Sequence, residues 1–140
     1  QDHVYHHAGW FRASTVPYYE EERFQCTHAG LEDGEIALSD PQTLLWDRKR
    51  ISDNDYSGKL TVVGHTPLSG AAWCAGDRKN RAVLAERTRM ALPEKGMICL
   101  DTGCVFGRRL TAMVVEDGSF WLDSVERTGK QPDGKEQEAE

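Results

Sequence analysis

The chain has 140 residues and a formal net charge of −6, with a pI of about 5.4. That length is one domain or part of one, and the acidic balance excludes a general nucleic-acid binder while leaving room for a locally basic site. Apolar residues make up 39% and charged residues 29%, the mixture of a soluble globular chain, and no apolar stretch reaches the roughly 20 residues of a membrane span.

Residues His3 to Ala13 predict the end of a helix with Val4, Ala8 and Phe11 on one side. Tyr18-Tyr19 and Phe24 to Thr27 flank the acidic run Glu20-Glu21-Glu22, which reads as a short hairpin with a charged turn. Asp40-Pro41 is a helix start, with Asp as N-cap and Pro at the first helical position. Gln42 to Arg48 then predicts a short helix with Leu44, Leu45 and Trp46 as its apolar side. Ser52 to Gly58 reads as a polar loop leading into a strand, Leu60 to Val63. Arg78 to Leu92, rich in Ala, Leu, Arg and Glu, predicts a helix that Pro93 ends. Met97 to Leu100 reads as a strand and Asp101-Thr102-Gly103 as a turn. Leu110 to Glu116 and Ser119 to Val125 predict a hairpin across Asp117-Gly118, a strong turn dipeptide. Residues 126–140 carry almost no apolar side chain and are expected to be a disordered acidic tail, which leaves residues 1–125 as the folded part.

Cys26, Cys74, Cys99 and Cys104 form no CxxC pair, and isolated cysteines with apolar neighbours read as buried thiols in a reducing, cytoplasmic setting. Nothing at the start reads as a secretory signal, and the opening Gln1-Asp2-His3, without a methionine, reads as cut from something longer.

The chemistry gathers at strand ends. Val62-Val63-Gly64-His65-Thr66-Pro67 places a histidine after a buried-looking strand, with Gly64 expected to supply the sharp turn and Pro67 to stop further pairing. Arg23 to Thr27 followed by His28-Ala29-Gly30 frames a second histidine in the same way. Two such histidines point to a divalent metal site built from loops, because a neutral imidazole nitrogen is a common metal ligand. The competing reading is a surface or hydrogen-bonded histidine, and it is the better account of His3, His6 and His7, which lack framing. Arg48 offers a planar fork that matches phosphate oxygens; alternatively it is a cation at a helix C-terminus. Lys49 and Arg50 read as solvated. The basic stretch Arg78, Lys79, Arg81, Arg87 and Arg89 reads as the wet face of a helix rather than a steering patch, and Asp101-Thr102-Gly103 as an ordinary turn.

These segments resemble a known family. Thr27-His28-Ala29-Gly30-Leu31, then Asp40-Pro41 with Leu44-Leu45-Trp46-Asp47-Arg48, then Val63-Gly64-His65-Thr66-Pro67, then Leu100 to Gly107 followed by Leu110-Thr111-Ala112, are similar to the calcineurin-like metallophosphoesterases. Within that superfamily the likeness is to the bacterial serine/threonine protein phosphatase and diadenosine tetraphosphatase branch, and it runs from about Tyr5 to Val125. The resemblance implies an α+β fold, a two-sheet β-sandwich flanked by helices, of which this chain would be the carboxyl-terminal half. It implies hydrolysis of phosphate esters or anhydrides in a phosphoprotein or nucleotide polyphosphate, through a hydroxide shared by two metals, Mn, Fe or Zn.

By the same resemblance His28 and His65 bind one of the two metals, and Arg48 holds a phosphate oxygen. The family's first three motifs, Gly-Asp-x-His-Gly, Gly-Asp-x-x-Asp-Arg-Gly and Gly-Asn-His-Glu, do not occur in these 140 residues. The expectation is therefore a partner amino-terminal half that supplies the bridging Asp and the other ligands, and a chain inactive by itself. It is also expected to be poorly stable alone, with Leu60, Val62, Ile98, Leu100, Leu110, Ala112, Val114 and Trp121 lining an uncovered face. The stretch from Leu68 to Lys95 is longer than the resemblance leads one to expect, so its helix reads as a branch-specific insertion. Two other readings stay open: a non-catalytic binding or regulatory module that keeps the half-sandwich, and one half of a split enzyme.

Overall fold

The computed structural model describes residues 2–77 and 81–128. Its elements are α1 (Asp2–Ser14), β1 (Tyr18–Glu20), β2 (Gln25–Thr27), α2 (Pro41–Trp46), α3 (Lys49–Asp53), β3 (Thr61–Val63), β4 (Ala72–Cys74), β5 (Arg81–Val83), β6 (Met90–Ala91), β7 (Met97–Cys99), β8 (Arg109–Glu116) and β9 (Ser119–Glu126). The class is α+β, as the sequence indicates.

Among the described residues the strands form two sheets, ordered β1-β2-β3-β7-β4-β5 and β6-β9-β8. In the larger sheet β2, β3 and β7 are mutually parallel neighbours, while β1 and β4 run antiparallel at their flanks. The period-2 alternation of strands sorts side chains to two faces. Val63, Met97, Cys99 and Cys74 meet Leu44 of α2, Ile51 of α3, Leu31, Ile36 and Tyr56 on one face. Leu60, Ile98 and Ala71 meet Leu92 and the Phe120 and Leu122 of β9 on the other, so the two sheets pack face to face. Phe120 and Leu122 are 1% and 0% exposed, and each such side chain contributes roughly 1.5–3 kcal/mol of burial.

Local chemistry explains several elements. The Asp40 carboxylate accepts the Gln42 amide at 2.7 Å and Pro41 occupies the first helical position, so α2 starts where the sequence places it. It stops at Trp46 rather than Arg48, and Asp47 turns the chain: its carboxylate accepts the Lys49 and Arg50 amides at the start of α3. That second helix takes in Ser52 and Asp53, expected in a loop, because Ile51 buries completely beneath it and Asn54 closes it in the left-handed region at φ 50°. Arg50 is not solvated as expected. It is half-buried, donates to the Leu31 carbonyl and pairs with Asp33 and Asp55 at 3.2 and 3.3 Å. The β8–β9 hairpin matches expectation, with Asp117 and Gly118 both at positive φ, 48° and 71°, the requirement of a two-residue primed turn.

The helix expected over 78–92 is overturned. Residues 78–80 lie outside the described residues; beyond them the chain forms β5 and β6. Its backbone bonds run to distant partners: Leu84 donates to Ala71, Arg87 to Leu122 and Leu92 to Gly118. Helical propensity is worth only tenths of a kcal/mol per residue, and it loses to placing Leu84, Met90 and Leu92 against the core between the sheets. Arg81, Arg87 and Arg89 therefore lie on no helix face. Arg87 and Arg89 pair with Asp123 and Glu116 on the small sheet.

The uncovered apolar face is found only in part. Leu60 and Ile98 are 0% exposed and Val62 is 9%, because β9 covers this side of the larger sheet. The open surface lies elsewhere. Strand β8 is an edge, and Leu110, Val114 and Val125 are 60%, 40% and 63% exposed. Trp121 is half-buried under the Arg89 guanidinium, 5.4 Å from its ring centre. Helix α1 forms as expected, but Ala8 and Phe11 of its apolar side are not covered, and every residue from His7 to Ser14 is exposed. Glu126, expected in the tail, closes β9, and the Arg127 amide donates to the Arg108 carbonyl; residues 129–140 of the expected tail lie outside the described residues. No helix among the described residues is long and apolar enough to cross a membrane.

Candidate functional site

Three neighbouring parallel strands deliver side chains to one end of the larger sheet: His28 follows β2, His65 follows β3 and Asp101 follows β7. This is the carboxyl end of the parallel strands, where sheets of mixed α and β structure commonly hold ligands. A cleft of about 390 Å³ opens there, with Thr27, His28, Gly64, His65 and Asp101 among its walls and the β8 residues Arg109 to Thr111 facing them.

The structure brings His28 and His65 together: His28 Nε2 lies 3.1 Å from His65 Nδ1, with ring centres 4.9 Å apart. The backbone fixes this approach. The Gly64 amide donates to the His28 carbonyl at 2.9 Å, and the Ala29 amide and Thr27 hydroxyl both donate to the Leu44 carbonyl at the end of α2. Leu68 donates to the Asp101 carbonyl, closing the loop that carries His65. Beneath that loop the Cys99 thiol reaches the Thr66 carbonyl at 3.3 Å. Burial pushes this thiol up to about 11, so it stays protonated and available as a donor.

The turn itself departs from expectation. It is His65, not Gly64, that takes the left-handed conformation, at φ 63°. Histidine tolerates that region better than most side chains, and such outliers cluster at functional sites. A Cβ on Gly64 would meet only the His28 carbonyl, at 3.6 Å, an ordinary contact.

The electrostatics keep His65 neutral. Burial lowers its pKa below the usual 6.5, the nearby Arg48 and His28 lower it further, and Asp101 opposes them. Among the described residues its Nε2 is buried without a hydrogen-bond partner, as is the Thr66 hydroxyl. Two imidazole nitrogens at this separation either share one proton or face one cation. For metal–nitrogen bonds of about 2.0–2.1 Å, adjacent ligand nitrogens stand about 3 Å apart, so the pair fits two positions of a single coordination sphere. Among the described residues no group of three or more His, Cys, Asp or Glu side chains converges to complete it.

Arg48 is exposed beside this pair. It directly follows Asp47, the C-cap of α2, and is itself the N-cap of α3, so it stands between a helix end that favours a cation and a helix start that does not. Asp101 does more than close a turn: its carboxylate accepts the Gly103 amide at 2.9 Å while its charge faces His65. Sequence reasoning did not single out Trp46, whose ring meets His65 edge-on at 5.6 Å, or Cys99 under the loop. Trp46 stood in the motif as an apolar helix residue, and its exposure at the site was the missing signal. Compared with protein-family models, curated proteins and solved structures, the chain matches nothing.

Proposed function

We propose that this chain is part of a metal-dependent phosphatase of the calcineurin-like metallophosphoesterase type, corresponding to the carboxyl-terminal half of the catalytic domain. The observation that carries the reading is the 3.1 Å approach of His28 Nε2 to His65 Nδ1 from loops 37 residues apart. A structural histidine pair needs no open cleft, no exposed arginine beside it and no strained backbone; here all three occur together.

In this reading His28 and His65 hold one divalent cation, Mn, Fe or Zn. When bound in the complete domain, the metal centre would polarise the substrate's phosphoryl group and lower the pKa of a bound water. The chain's own residues do the rest. His65, kept neutral by burial and by Arg48, offers a lone pair without first losing a proton. The Gly64–His28 hydrogen bond and the Cys99 thiol hold the two rings in place. Arg48 presents its fork to the oxygens of a phosphorylated substrate, a phosphoprotein or a nucleotide polyphosphate. The remaining ligands come from an amino-terminal half bearing the family's first three motifs. Four free cysteines suit a reducing, cytoplasmic setting.

The test joins this chain to such a segment and follows p-nitrophenyl phosphate hydrolysis with manganese and after exhaustive chelation. Turnover that needs manganese and falls by orders of magnitude in His65→Ala supports the reading; turnover that survives chelation overturns it. The chain alone is expected to be inactive. A second reading, a binding module or one half of a split enzyme, draws on the absence of a third metal ligand among the described residues. The binding module predicts no manganese-dependent turnover even when the chain is joined to such a segment, and the split enzyme predicts turnover when the two polypeptides are mixed.

A further inference from the structure

We propose that Trp46 is a specificity-determining residue, a platform that takes the planar aromatic group of an aromatic phosphate monoester while Arg48 holds its phosphate. The inference rests on the phosphatase reading above and adds the kind of group that flanks the phosphate.

Tryptophan is costly to leave in water, yet Trp46 is 64% exposed. It is not a stray surface residue. Its ring stands perpendicular to that of His65, at 89° and 5.6 Å between centres, so the exposed indole sits beside the histidine pair. The backbone holds it there. Trp46 ends α2, and Asp47 follows as the C-cap, with its carboxylate tied to the Lys49 and Arg50 amides. Gly30 lies against Asp47 so closely that a Cβ there would come within 2.5 Å of the carboxylate. Trp46 and Arg48 are thus the two residues flanking one locked corner, an aromatic surface and a cation about one residue apart on either side of Asp47. Both reach His65, Trp46 through its ring and Arg48 through its charge, and a ligand with a ring joined directly to a phosphate would use both: the anion at Arg48, the ring at Trp46. Stacking on an exposed aromatic side chain is tolerant of ring identity, so the class is aromatic phosphates generally. An alkyl phosphate offers Trp46 nothing flat to stack on.

The experiment titrates the chain with inorganic phosphate, methyl phosphate and phenyl phosphate, following amide and indole signals by NMR. Phenyl phosphate is expected to bind about tenfold more tightly than methyl phosphate, with the Trp46 indole signal shifting for phenyl phosphate alone. In Trp46→Leu that ratio is expected to fall to about one while inorganic phosphate binds as before. The exposed position makes this variant well tolerated, and its spectrum reports any wider disturbance. Equal loss for all three ligands overturns the proposal, because Trp46 would then act only by propping His65. A native ratio near one, or a ratio that Trp46→Leu leaves intact, also overturns it. If Arg48→Ala leaves inorganic phosphate binding unchanged, or no phosphate binds at all, the phosphatase reading fails and this proposal with it.

Discussion

At the scale of single residues, the site depends on keeping one imidazole uncharged. Protonating His65 places a positive charge in a partly desolvated position beside Arg48, which is why its pKa falls. The sign of the linkage follows. The unfolded chain takes up this proton near the ordinary 6.5 and the folded chain at a lower pH, so the folded state loses stability as pH falls below about 6.5 and keeps it fully above. An NMR titration is expected to show His65 with a midpoint below that of a free histidine, and a midpoint above 6.5 would contradict the burial and charge balance. Metal binding follows the same proton. Zinc affinity of the chain should be weak at neutral pH and fall further in acid. Either His28→Ala or His65→Ala should lower it by about tenfold or more, because each removes one of only two donors; calorimetry measures this. Arg48→Ala should leave zinc affinity intact and weaken phosphate by about tenfold. Arg48→Lys should restore part of that loss, the charge without the bidentate fork.

At the scale of elements, the corner between α2 and α3 is the most sensitive piece. Gly30→Ala forces a methyl group against the Asp47 carboxylate, and the cheapest relief is to move the corner that carries Trp46 and Arg48. Phosphate affinity should drop in this variant with little change in melting temperature. Gly96→Ala is the opposite case. Its φ of 95° and the 2.2 Å approach of a Cβ to the Cys74 carbonyl strike the start of β7, so unfolding should become easier by about 1–3 kcal/mol or more. Denaturant titration separates the two. What the sequence made readable divides along the same line. Elements defined by local chemistry were readable: Asp40-Pro41 at the start of α2, Asp117-Gly118 in the hairpin, the apolar runs of β3 and β7, and the two histidines that follow β2 and β3. Strands β4, β5 and β6 were not, since each is two or three residues long and held by bonds to distant segments. The last two lie in a stretch, 78–92, whose Ala, Leu, Glu and Arg content favoured a helix that only the tertiary core could overrule. The left-handed turn at His65 was hidden for a related reason. A glycine stood next to it and, by propensity alone, was the better candidate.

At the scale of the whole molecule, two surfaces lack cover. Helix α1 exposes Trp10 and Phe11 at 66% and 61%, and a helix of 13 residues is marginal in water without a packing partner. Beyond its bridge to Gly103 at Arg109, the outer edge of strand β8 pairs with no other strand among the described residues, beside Leu110 and Val114. Such an edge is a template for association, so light scattering should show the average mass of the chain rising with concentration. Val114→Lys, a charge on that strand, should suppress the rise; a monomer at all concentrations would show that the edge is already protected. The larger sheet, by contrast, is covered on both faces, and the histidine pair is bolted to it. The Gly64 amide that donates to the His28 carbonyl ties the two histidine loops together just past the ends of β2 and β3. Its exchange with solvent deuterium reports the parting of these strand ends. Deuterium uptake at Gly64 should match the slowest amides of β3 and β7, far slower than uptake along α1. The backbone positions that carry the two rings are thereby tied to each other, and the tie breaks only when these strand ends part.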